Sequence, residues 1–145
     1  MEFMSSEDRL LKSYAAQIRK SLKHLKYSFQ KSVSLSTDIA TLSEEDLETW
    51  ESLAARFSRT SDLFVTTYLR RLVQQKDPGF SGSLRDSLDL AEKWGLIDDA
   101  KVWLKIREFR NRVAHEYTEE DLKILYEDLR ALCPSVLKIE AVLDS

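Results

Sequence analysis

The sequence predicts an all-α protein, a single up-and-down bundle of about five helices. Three observations carry that expectation. Apolar residues return with a helical period along nearly the whole chain. Ser43, Ser83 and Thr118 each stand three residues ahead of an Asp, just before such a stretch, where they can cap a helix start. Only three Gly and two Pro occur in 145 residues, too few for the many tight turns of an all-β chain.

The first helix is expected over roughly residues 6 to 32. Leu11, Ile18, Leu22, Leu25 and Phe29 share one face at about 100° per residue, with Lys12, Arg19, Lys23 and Lys26 opposite. The Ser/Thr-rich residues 32 to 41 form a connection. Ser43 opens a second helix that runs to about Lys76, with Trp50, Leu53, Ala54, Phe57, Phe64, Tyr68 and Leu72 as its buried stripe. Asp77-Pro78-Gly79 stops it. Ser83 opens a short third helix that ends at Gly95. Asp98 is expected to cap the fourth, with Ile97 and Val102 as a hydrophobic staple. In that helix Val102, Ile106, Phe109 and Val113 cluster within about 40° and form the expected core stripe. Thr118 caps the fifth, and Pro134 is expected to break it and start a short segment near residues 135 to 143.

Length and composition fit one domain with a real core, at 43% hydrophobic and 32% charged residues. Met1-Glu2-Phe3 reads as an expression scar ahead of a natural start at Met4, so residues 4–145 are the expected domain. No apolar run approaches the roughly 20 residues of a membrane span, and nothing resembles a secretory signal. Cys133 is the only cysteine, which excludes an internal disulfide and a cysteine-based zinc site. A reducing, cytoplasmic setting is expected, with no metal and no cofactor.

The net charge of −3 hides a division of sign. Residues 9 to 31 hold seven Lys or Arg and no acid, whereas residues 38 to 51 hold six acids and no base. Lys12, Arg19, Lys23 and Lys26 are therefore candidates for tracking an RNA backbone, against the plainer reading of a solvated helix face.

The most informative stretch is Arg110-Asn111-Arg112-Val113-Ala114-His115-Glu116-Tyr117. An arginine can hold a phosphate through paired hydrogen bonds, and a histidine can move a proton near neutral pH. Spacing alone is weak evidence, because Arg19 and His24 repeat the Arg-x4-His interval without the Asn or the Tyr. On an ideal wheel Asn111, His115 and Leu104 share the face away from the core, with Trp103 and Arg107 between the two faces. Leu, Trp, Arg, Asn and His together read as a surface that meets another chain, so Trp103, Leu104, Arg107 and Asn111 are candidate interface residues. Arg110 and His115 stand about 140° apart on such a wheel, so a two-fold dimer is expected to combine two Arg/His sets in one cleft.

Arg-Asn-x3-His-x-Tyr near the end of the fourth helix of a small bundle resembles the HEPN superfamily, and within it the HepT-like toxins, whose signature is Arg-x4-His-x-Tyr. Arg110, Asn111, His115 and Tyr117 match it position by position. The resemblance implies a homodimeric, metal-independent ribonuclease toxin with its cleft between protomers. It also implies a minimal nucleotidyltransferase antitoxin that silences the toxin by adding AMP to the motif tyrosine, here Tyr117. On that reading His115 serves as general base or acid, with an ordinary pKa of about 6.5. Arg110 stabilises charge on the phosphoryl oxygens, and Asn111 acts directly or orients the others. The alternative is a non-catalytic companion of a nucleotidyltransferase, in which the same residues bind a nucleotide or the partner.

Overall fold

Side-chain caps account for where most of the helices begin. In the computed structural model, which describes residues 5–115 and 117–143, α1 spans Ser6–Ser32 and starts where the Ser5 hydroxyl accepts the Asp8 N–H at 3.1 Å. The scar expected at residues 1–3 and the start at Met4 lie outside the described residues. A 3₁₀ turn, Ile39–Thr41, interrupts the connection that follows. Ser43 caps α2 (Glu44–Asp62) by accepting the Asp46 N–H at 3.1 Å.

α2 then passes without a break into a π-helical segment, Leu63–Leu69, and on into α3 (Arg70–Lys76). Together they make the long second helix that the periodicity predicts, with every residue of its expected stripe buried. The π turn is not visible in that periodicity. Within it Phe64, Val65, Tyr68 and Leu69 are buried.

α4 (Leu84–Lys93) begins with a reciprocal capping box between Ser83 and Asp86. It ends as expected on Gly95, whose φ of 74° suits a residue without a Cβ. The Leu96 N–H bonds the Ala91 carbonyl at 2.8 Å and the Gly95 N–H bonds Glu92 at 3.0 Å, the paired arrangement of a Schellman stop.

α5 (Ala100–Val113) departs from expectation in two respects. Its cap is Asp99, not Asp98. The Asp99 carboxylate accepts the Lys101 N–H at 2.8 Å, and Glu92 reaches over from α4 to accept the Ala100 N–H at 2.6 Å. Two acceptors on consecutive donors set the start one residue later, so Ile97 and Val102 no longer hold the positions before the cap and in the second turn that a staple uses. The buried stripe is Ala100, Trp103, Ile106 and Phe109, while Val102 is half-buried and Val113 is 39% exposed. Steps of three residues turn the stripe back by about 60° each time. α5 packs against α4 as well as α2 and α6.

α6 (Glu119–Leu137) opens on a capping box between Thr118 and Asp121. Pro134 does not break it: the helix runs through to Leu137, and only a four-residue α7 (Glu140–Leu143) follows. Proline costs one backbone bond there, but Leu129, Cys133 and Val136 are fully buried on either side and hold the last turns in place.

The helices enclose one core. Trp50 stacks on Tyr126 at 5.1 Å, Phe57 meets Phe109 edge-on at 5.1 Å, and Phe64 meets Trp103 at 5.1 Å. Arg130 stands over the Trp50 ring and donates to the carbonyls of Ser32 and Leu35, tying α6 to the connection after α1. Among the described residues there is no strand, and no helix is long and apolar enough to cross a membrane.

Candidate functional site

The motif residues lie at the corner between α5 and α6. The last turn of α5 carries Arg110 and Arg112, with Arg107 about one turn earlier, and the helix ends at Val113 with Ala114 as its C-cap. His115 has left the helical path: its N–H bonds the Arg112 carbonyl at 3.3 Å in a tightened final turn. Tyr117 follows immediately before the Thr118 cap, whose bonds to Asp121 fix the far side of the corner at 3.2 and 3.3 Å. The His115 and Tyr117 rings face each other nearly at right angles, with centroids 6.4 Å apart.

This geometry corrects the wheel argument. Arg110, His115 and Tyr117 all line one open hollow of about 400 Å³, formed between the corner and the small side chains Ala54, Ala55 and Ser58 of α2. The 140° separation holds only for a continuous helix, and the helix stops before His115. One protomer therefore brings the arginine, the imidazole and the phenol to the same place, and no second copy is needed for that. Leu122, Leu125 and Tyr126 close the hollow from α6, with Glu51 also on its wall. Burial, and then the Glu51 carboxylate, pushes the Tyr126 phenol above its ordinary pKa, so it stays a neutral wall group.

Sequence reasoning missed Asp62. Its carboxylate accepts from both guanidiniums of the α5 end, Arg107 Nη1 at 2.5 Å and Arg110 Nη1 at 2.9 Å. Arg110 nevertheless keeps 57% of its side chain exposed. Asp62 is the last residue of α2, 48 positions from Arg110, and no local spacing could have found it. Arg112 is committed elsewhere, to Asp128 of α6 at 2.9 Å.

The other candidates divide. Asn111 is exposed but does not line the hollow. Trp103 is corrected outright: at 3% exposure it is a core residue packed on Phe64, not part of an exposed interface. The bulky ring follows the drift of the core stripe, which carries it inward. Leu104 is half-buried against the core, and Arg107 is half-buried in its contact with Asp62. Lys12, Arg19, Lys23 and Lys26 are exposed along α1 and do not line this hollow. His24 is also on α1, where its carbonyl accepts from Arg56. Among the described residues no group of His, Cys, Asp and Glu is arranged to hold a metal ion.

A family model described as "Nucleotidyltransferase substrate binding protein like" matches residues 13–145, which includes every residue of this corner. No curated protein matches the chain.

Proposed function

The chain belongs to the nucleotidyltransferase substrate binding protein-like family, and from that premise we propose that it is a HepT-like, metal-independent endoribonuclease toxin controlled by a nucleotidyltransferase partner. The observation that supports this most is the convergence of Arg110, His115 and Tyr117 on one hollow. In the proposed reaction the ribose 2′-oxygen attacks phosphorus as His115 takes its proton. The bond from phosphorus to the 5′-oxygen breaks, and a second imidazole or a water protonates the leaving oxygen. The products are a 2′,3′-cyclic phosphate and a 5′-hydroxyl. Arg110 neutralises charge that grows on the phosphoryl oxygens.

The second imidazole comes from a homodimer packed through the outer face of α5, with Leu104, Arg107, Asn111 and His115 at or beside the seam. The partner would transfer AMP from ATP to the Tyr117 oxygen and release pyrophosphate. The new phosphodiester lies beside Arg110 and competes with RNA for it.

The competing reading is a companion subunit that presents a nucleotide or itself to the nucleotidyltransferase without cutting RNA. The wording of the family's description, a substrate binding protein, is what supports it.

RNA incubated with purified protein in EDTA separates the two. Wild type should leave cyclic phosphate ends, and His115→Ala and Arg110→Ala should each remove most activity. A protein shown by intact mass to be unmodified that leaves RNA uncut would favour the companion role.

A further inference from the structure

The carboxylate of Asp62 gathers two guanidiniums at one point, and that contact has no part in the reading above. Arg107 and Arg110 lie three residues apart on α5, close enough for their like charges to repel. Asp62 accepts Nη1 of each, one on either carboxylate oxygen, at 2.5 and 2.9 Å. An arginine carries five N–H donors in a planar fork, so one engaged nitrogen leaves the rest of each fork able to donate. Two cations and one anion leave a single positive charge, which suits the single negative charge of a phosphodiester.

Asp62 is itself well placed to act as a fixed post. It ends α2 where the π-helical segment begins, and the Thr66 hydroxyl holds its carbonyl at 2.6 Å. π segments interrupt helices frequently at functional sites. Arg112, two residues from Arg110, has a separate acid in Asp128 and supplies an internal control.

We propose that Arg107 is a second phosphate-binding guanidinium beside Arg110, and that Asp62 is the positioning residue that holds the pair together. The rate consequences rest on the nuclease reading, whereas the binding consequences do not. The test uses a 2′-O-methyl RNA oligonucleotide, which offers phosphates but no attacking hydroxyl, alongside cleavable RNA. Arg107→Lys and Arg110→Lys should each weaken binding of the methylated oligonucleotide about tenfold, the equivalent of one charge-assisted hydrogen bond. Arg112→Lys should leave it unchanged. In an Asp62→Asn background the Arg107→Lys penalty should vanish, because the pairing is already lost.

With cleavable RNA, Asp62→Asn should lower kcat about tenfold while KM stays level or falls, since the site has gained positive charge. Asp62→Glu should restore part of the rate. Wild-type binding by Arg107→Lys would reduce Arg107 to an ion-pair partner and overturn the proposal. An Arg107→Lys penalty undiminished in the Asp62→Asn background, or a kcat that Asp62→Asn leaves level or raises, would make Asp62 a competitor of RNA instead of a positioning residue. Wild type that binds the methylated oligonucleotide but cuts no RNA would defeat the nuclease reading alone and leave the binding comparisons to decide this one. If Asp62→Asn does not fold, Asp62→Glu replaces it as the background, and the Arg107→Lys penalty should shrink there; a full penalty overturns the positioning role.

Discussion

Replacing Trp103 with alanine separates a core residue from an interface residue. The side chain is 3% exposed within a single protomer, meets Phe64 at 5.1 Å, and lies on the buried stripe of α5 with Ile106 and Phe109. Truncating a buried tryptophan costs about 3–5 kcal/mol, through lost transfer energy and the cavity left behind. The contact with Phe64 contributes roughly 0.5–1.5 kcal/mol of that. With an unfolding entropy of about 2.1 cal/mol/K per residue, a chain of 145 residues should lose roughly 10–16 °C in melting temperature.

The assay is urea unfolding followed by circular dichroism at several protein concentrations, for wild type, Trp103→Ala, Phe64→Leu and the double variant. A core role predicts the same loss at every concentration and a coupling of about 1 kcal/mol between the two sites. A loss below about 1 kcal/mol, accompanied by dissociation of a dimer, would refute the placement of Trp103 in the core.

Further outcomes follow from the corner and its surroundings. Thr118→Ala removes a capping hydroxyl and should cost about 1 kcal/mol in denaturant unfolding; because Thr118 follows Tyr117 directly, RNA cleavage should fall as well. Burial pushes the Cys133 thiol up to about 12. Its folded pKa is raised, so the stability it contributes is present below the ordinary value of 9.0 and is lost as pH climbs toward 12. Melting temperatures recorded from pH 8 to 11 should therefore fall less steeply for Cys133→Ala, and the folded thiol should resist alkylation at pH 8. Tyr117→Phe should abolish an AMP-sized mass increment after co-expression with the nucleotidyltransferase while leaving some cleavage. An increment that persists places the modification elsewhere. His24→Ala should leave RNA cleavage intact, and a loss equal to that of His115→Ala would mean the wrong copy of the Arg-x4-His interval is the site.

Local chemistry was enough to read three helix starts, one helix stop and much of the core stripe. Ser43, Ser83 and Thr118 cap where their spacing to an Asp says they should, because a cap is a bond between residues three apart. Gly95 ends α4 for a reason equally local, its freedom at positive φ. The burial of Trp50, Leu53, Phe57 and Phe64 was legible for the same reason, since a helical period marks one face. Arg110, Asn111, His115 and Tyr117 could be singled out from their order along the chain.

Tertiary structure decided what lies opposite each of these groups. Asp99 rather than Asp98 caps α5 because Glu92 arrives from another helix to take the neighbouring N–H. Trp103 lies inward and Val113 outward in a helix that packs against three others, α2, α4 and α6. Pro134 stays within α6 because packing on both sides outweighs one missing backbone bond. The meeting of Arg110 with His115 depends on the helix stopping at Val113, and their hollow depends on small residues supplied by α2. The grip of Asp62 on Arg107 and Arg110 joins α2 to α5 through residues 45 and 48 positions apart in sequence. Caps and periods are written in bonds between near neighbours, so one sequence reveals them. Contacts between distant segments exist only once the chain has chosen which helices lie side by side.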